Sequence, residues 1–303
     1  MKKRNLLTLD DLSSKEIFEL LSLTRKLKKA PLSKKKVLKN KTFALLFQKP
    51  SNRTRISFEV AVVHLGGYVL YLSPREIAMG TRESVKDVGS VVSRYVDGLV
   101  ARVFSHSDVV GLARYSEVPV INGLSDLAHP CQALSDIFTV SEKKDLKKTV
   151  FSYVGDGNNV LNSLLLVCAK TGVGMRIATP EGYSPSPEIL DKAKVIAKEN
   201  KAKIEMFKDP FEAVKGSDII YTDVWVSMGQ EEQKAERVEA FRNFQVNEKL
   251  VKAAKEDTLI MHCLPAHRGE EVTDIIDSKN SIVYDQAENR MHMQKAIIVK
   301  IFG

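Results

Sequence analysis

The chain has 303 residues, 44% of them hydrophobic, which is enough to bury a large core and gives a length of about two domains. Its formal net charge of +8 would suit nucleic acid if the basic residues clustered, but much of the lysine lies in Glu-containing, helix-like stretches at 191–203 and 247–255 or in Lys34-Lys35-Lys36. With no recognition motif beside that charge, and no apolar run of signal-peptide or membrane-span length, a cytoplasmic protein without nucleic-acid or membrane partners is expected.

From Lys41 onward, short runs rich in β-branched and aromatic residues alternate with segments of helical period, the pattern of parallel βαβ units. The first half predicts strands near 42–48, 68–72, 98–104 and 119–122, with helices over 56–65, 84–95 and 108–115 between them. Gly66-Gly67 is expected to stop the first of these helices. A long helix is predicted over 131–144, ending in the charged run Glu142-Lys143-Lys144-Asp145. A second alternating series follows, with strands near 149–154, 175–178, 203–207, 218–222, 258–262 and 281–284 and a closing helix over 286–302. The expectation is therefore an α/β protein of two open, mostly parallel domains of similar size, spanning 1–145 (joined by the C-terminal helix, about 286–303) and 146–285. Ligands of such sheets bind beyond the carboxyl ends of the strands, so a site between the halves is the default.

Directly after the first strand comes Lys49-Pro50-Ser51-Asn52-Arg53-Thr54-Arg55, then an amphipathic helix. Backbone N–H groups at a helix start, hydroxyls and forked guanidinium donors make an anion pocket, while Ser51 or Asn52 can cap the helix. On spacing alone, a helix cap with two exposed arginines explains these residues equally well. Cys131, Cys168 and Cys263 are odd in number and widely spaced, fitting neither a disulfide framework nor a Cys-x-x-Cys metal site, and read as reduced thiols. Gly155-Asp156-Gly157-Asn158-Asn159-Val160 follows a strand as a dinucleotide fingerprint would, but Val160 stands in place of the third glycine.

The segment Ser51 to Arg55 resembles the Ser-x-Arg-Thr-Arg loop of the aspartate/ornithine carbamoyltransferase family, and further elements follow in the family's order. Ala101-Arg102 ends a strand where the family places another arginine, and His129-Pro130-Cys131-Gln132 resembles its His-Pro-x-Gln element. Gly155 to Asn159 resembles its Gly-Asp-x-x-Asn turn. Asp223 to Gln230, His262-Cys263-Leu264-Pro265 and Glu288-Asn289-Arg290 resemble elements of the family's ornithine branch, so the resemblance spans the chain.

The resemblance implies transfer of a carbamoyl group from carbamoyl phosphate to the side-chain amine of ornithine, in arginine metabolism, by a homotrimer or a multiple of it, with no metal or cofactor. It implies that Ser51, Asn52, Arg53 and Thr54 hold the phosphate, that Arg102, His129 and Thr54 face the carbonyl oxygen, and that Arg290 adds positive charge. Gln132, Cys263 and the Leu264 carbonyl would meet the carbamoyl group, and Asn159, Asp223, Ser227 and Met228 would hold ornithine. Cys263 would position the reacting amine, with Arg102 and His129 as the other catalytic groups. Acceptors such as aspartate, putrescine or an acylated ornithine form the rival reading, and a non-catalytic anion or nucleic-acid binder of the same fold a more distant one. Two letters depart from the family: Asn52 replaces Thr or Met, and Ala78 stands where many members carry Gln or His reaching into a neighbouring subunit.

Overall fold

The computed structural model describes residues 4–227 and 229–303. They divide into two compact units, one running up to Phe138 and including Glu288–Gly303, the other Thr139–Ala287.

The first unit is built on a parallel sheet of β1 (Thr42–Phe47), β2 (Tyr68–Leu72), β3 (Gly98–Arg102) and β4 (Val120–Leu124), in the order β2-β1-β3-β4. The continuous apolar run Phe43 to Phe47 suits a central strand covered on both faces, and all five residues are buried. Strand β2 is an edge strand and keeps Tyr68 and Leu70 exposed. The helix Asn52–His64 follows β1 and ends as expected at glycine: Gly66 has φ +88°, and the Gly66 and Gly67 N–H groups bond Val63 O and Val62 O. The helix Ser14–Lys29 lies upstream of the first element read from the sequence. Its Ser13/Glu16 capping box and its buried stripe Ile17, Leu20, Leu21, Thr24 and Leu27 account for it. The end of the closing helix packs in this unit, with the Phe302 ring edge-on to Phe43 at 5.0 Å and Thr24 Oγ1 donating to Met293 Sδ at 3.5 Å.

The second unit holds the parallel sheet β5 (Val150–Val154), β6 (Gly174–Ala178), β7 (Ile204–Phe207), β8 (Ile219–Thr222) and β9 (Leu259–His262), in the order β7-β6-β5-β8-β9. Its core gathers Val154, Ala178, Ile220, Trp225, Phe241, Phe244, Val246 and Leu250. The strand expected at 281–284 does not form. Ser281 makes an isolated bridge to Ile260, and the helix Val283–Phe302 starts three residues before the predicted 286. Ile260 N donates to Asn280 O and Ile282 N to Ile260 O, but Gln286 N already returns to Ile282 O, so helical bonding claims the chain after it has paired with a single residue of β9.

Strand order reverses once in each sheet, beside β1 and β3 in the first unit and beside β5 and β8 in the second. At such switch points the loops leaving the carboxyl ends diverge and open a crevice.

Candidate active site

The crevice of the first unit lies where the loop after β1 meets the end of β3. Parallel register pairs Phe47 with Arg102, which puts the Ser51 loop beside that arginine. Ser51, rather than Asn52, is the helix cap: its hydroxyl accepts Thr54 N–H at 3.3 Å and donates to Thr54 Oγ1 at 3.1 Å. Arg290 Nη2 donates to the same Thr54 oxygen at 2.8 Å, so Thr54 is held from the loop and from the closing helix. Asn52 is exposed and Arg53 half-buried in the first helical turn. Arg55 turns outward, bonding Glu59 at 2.8 Å and covering the Tyr71 ring at 3.8 Å.

Arg102, His129, Gln132 and Arg290 are all buried in this unit. Burial, with Arg290, Arg102 and Lys49 nearby, holds the His129 imidazole well below the usual histidine range, so it is neutral at physiological pH. A neutral imidazole among cations can donate an N–H to an oxygen on which negative charge develops. Gln132 Nε2 donates to Asp136 Oδ1 at 2.8 Å, while its buried Oε1 accepts nothing among the described residues. Burial pushes the neighbouring Cys131 thiol up to about 12, which makes it an inert packing group that donates to Asn122 O at 3.6 Å.

In the second unit, the register Thr222↔His262 carries Asp223 and Cys263 off adjacent strand ends together. Cys263 Sγ donates to Asp223 Oδ1 at 2.9 Å, Val224 N to the same oxygen at 2.8 Å, and Asn158 Nδ2 to Oδ2 at 2.7 Å. Asn158 is also the cap of helix Asn159–Thr171, its Oδ1 accepting Val160 N–H and Leu161 N–H, so one side chain ties the helix start to Asp223. Asn159 occupies the first turn, half-buried. Ser227 N donates to Gln230 Oε1 at 3.1 Å, and Met228 lies outside the described residues.

Leu264 leaves β9 with φ +60°, in the left-handed region unusual for a branched residue, and its N–H donates to His262 Nδ1 at 2.8 Å. That bond makes Nδ1 the acceptor, so the neutral ring carries its proton on Nε2, which faces Glu271 Oε1 at 3.2 Å. Burial would raise the Glu271 carboxyl, but hydrogen bonds from His262 and from His267 N–H hold it below the usual range. Asp223, His262 and Cys263 stand close enough to suggest a metal site, yet both His262 nitrogens and the Cys263 thiol are already committed to these hydrogen bonds. Sequence reasoning missed Asn158, His262 and Glu271. The adjacent asparagines gave no sign which was the cap, and Glu271 sits nine residues from the histidine that it orients.

Both halves of the chain match models of one family: residues 4–142 its carbamoyl-P binding domain, and residues 147–301 its Asp/Orn binding domain. The chain belongs to the aspartate/ornithine carbamoyltransferase family. An ornithine carbamoyltransferase of Pyrococcus abyssi is 52% identical over 307 residues, covering 100% of this chain and 97% of the relative. The solved ornithine carbamoyltransferase of Pyrococcus furiosus superposes with a TM-score of 0.95 at 51% identity, covering 99% of this chain and 97% of that one. A catabolic ornithine carbamoyltransferase of Thermoplasma acidophilum is 47% identical over 305 residues, covering 100% of both chains. Within the aspartate/ornithine carbamoyltransferase family, this chain is therefore similar throughout its length to members named for ornithine.

Proposed function

We propose that this chain transfers the carbamoyl group of carbamoyl phosphate to the side-chain amine of L-ornithine, giving L-citrulline and phosphate. The observation that carries the choice of acceptor is the Cys263–Asp223 pair, a thiol 2.9 Å from a buried carboxylate that three donors already orient. A carboxylate held at the end of a strand is a counter-ion for an amino acid's ammonium group, and the adjacent thiol is a contact for a reacting amine.

The amine nitrogen attacks the carbonyl carbon, the bond to the phosphate oxygen breaks, and the amine gives up a proton. Ser51, Asn52, Arg53 and Thr54 bind the phosphate, where a helix start and a guanidinium balance the leaving group's charge. Arg102, neutral His129 and Thr54 face the carbonyl oxygen. Gln132, through its vacant Oε1, and the Leu264 carbonyl take the carbamoyl nitrogen's hydrogens. Asn159, Asp223, Ser227 and Met228 hold ornithine, and Arg290 keeps Thr54 in place while adding charge. The first unit with the closing helix is thus the carbamoyl-phosphate domain, and the second the ornithine domain.

We further propose a cytoplasmic homotrimer or multiple of trimers. No described helix is long and apolar enough to cross a membrane, and the first unit leaves Ile56, Val63, Tyr68 and Leu70 exposed. Relatives carry both anabolic and catabolic names, so citrulline synthesis within arginine biosynthesis is the direction proposed on the strength of the anabolic ones. Replacing the thiol tests the site: Cys263→Ala should lower kcat about a hundredfold or more with the KM for carbamoyl phosphate nearly unchanged. Wild-type turnover in that variant would sink the assigned role.

A further inference from the structure

Arg237 is the charged residue of helix Lys234–Phe241 that points inward, and it is 7% exposed. Its Nη1 donates to Asp156 Oδ2 at 3.1 Å and to Trp225 O at 2.9 Å, and its Nε donates to Gln233 Oε1 at 3.2 Å. The guanidinium also lies 5.0 Å from the Tyr183 ring centroid. Asp156 belongs to the turn after β5, immediately before Gly157 and Asn158. Trp225 belongs to the loop after β8, two residues beyond Asp223. Tyr183 belongs to the loop after β6; its carbonyl accepts Gly157 N–H at 2.9 Å, and a Cβ on Gly157 would come within 2.4 Å of that oxygen, so this loop closes on the turn after β5. One guanidinium therefore joins the segments that carry Asn158, Asn159, Asp223 and Ser227.

A buried ion pair adds little net stability over apolar side chains of similar size, so its presence here is better explained by the geometry that it fixes. We infer that Arg237 is a positioning residue for ornithine, holding the loop after β8 against the turn after β5 through the Asp156 carboxylate and the Trp225 carbonyl, without itself touching substrate. The inference rests on the ornithine reading given above.

The clamp is pH-dependent. Burial raises the Asp156 carboxyl to about 6, outweighing the opposing pull of Arg237, and the Asp223 charge adds to the rise. Above that pH the carboxylate and guanidinium form a charge pair; as pH falls through it, Asp156 takes up a proton and the pair loses its charge complement. The reporter is built in, because Trp225 is the chain's single tryptophan, 3% exposed and stacked 5.8 Å from Phe241.

The experiment compares the full-length wild type with Arg237→Met and Arg237→Lys by steady-state kinetics and tryptophan emission. Arg237→Met should raise the ornithine KM about tenfold or more, leave the carbamoyl-phosphate KM within about twofold, and shift emission to the red. Arg237→Lys should fall between it and the wild type. Wild-type emission should titrate with a midpoint of about 6, and the titration should vanish in Arg237→Met. Wild-type ornithine KM and emission in Arg237→Met would overturn the inference, as would a rise of both KM values together, the mark of a general packing defect. Emission is read without substrate, so a wild type inactive on ornithine would overturn the proposed function and leave the clamp to be decided by the emission titration.

Discussion

Lys49 shows what a single residue can hide. It lies two positions before the Ser51 cap, was not singled out from the sequence, and is buried with its Nζ 5.1 Å from the Phe104 ring centroid. Burial and the nearby Arg102 lower it to about 8, with Asp126 pulling the other way. In the free protein its charge is therefore complete below that pH and lost as pH rises through it. Since a phosphate dianion favours the charged form, kcat/KM for carbamoyl phosphate should fall on the alkaline side with a midpoint of about 8. Lys49→Met should raise the carbamoyl-phosphate KM about tenfold and remove that limb, and an unchanged pH profile in the variant would contradict the assignment. Other single residues were legible in part. Cys263 and Asp223 could each be nominated from their motifs, but their pairing depends on a strand register that joins residues 40 apart. Of the departures, Asn52 sits exposed behind the Ser51 cap, and Ala78 ends a short helix at φ +37° with its carbonyl accepting Thr81 Oγ1. Neither contact explains why the family's usual letter is replaced.

Elements were most legible where β-branched runs met clear turns. Nine expected strands form, each within about two residues of its predicted bounds, the usual uncertainty of element ends. The tenth, at 281–284, does not, because Ile282-Val283 is too short an apolar pair to separate a strand from the start of a helix. Strand order lay beyond the sequence altogether, since periodicity gives elements and not their neighbours, yet that order creates both crevices. The exposed apolar groups carry a prediction at this scale. Tyr68 and Leu70 lie on the edge strand β2, and Ile56 and Val63 on the helix Asn52–His64, where an uncovered edge invites association. Sedimentation equilibrium should give a mass of three chains or a multiple of three, and a monomer at micromolar concentration would contradict the proposed assembly.

At the scale of the whole molecule, the sequence was read as two similar α/β halves, and each half proves to be a parallel sheet with one reversal of strand order. The closing helix could be predicted, but its packing beside helix Ser14–Lys29 and β1 could not, because those partners lie more than 250 residues away in the chain. Division of labour follows from the two crevices. The first gathers cations, hydroxyls and a neutral histidine suited to a phosphorylated carbonyl compound, and the second a carboxylate, amides and a thiol suited to an amino acid's amine. The acceptor is the central claim, and the direct measurement is phosphate and ureido-product release with carbamoyl phosphate and, in parallel, ornithine, aspartate, putrescine or acetylated ornithine. The account predicts citrulline with ornithine and a kcat/KM at least about a hundredfold above every other acceptor, the discrimination expected when a site's buried polar groups are left unpaired. Equal or faster turnover of another acceptor, or no citrulline from ornithine, would contradict it.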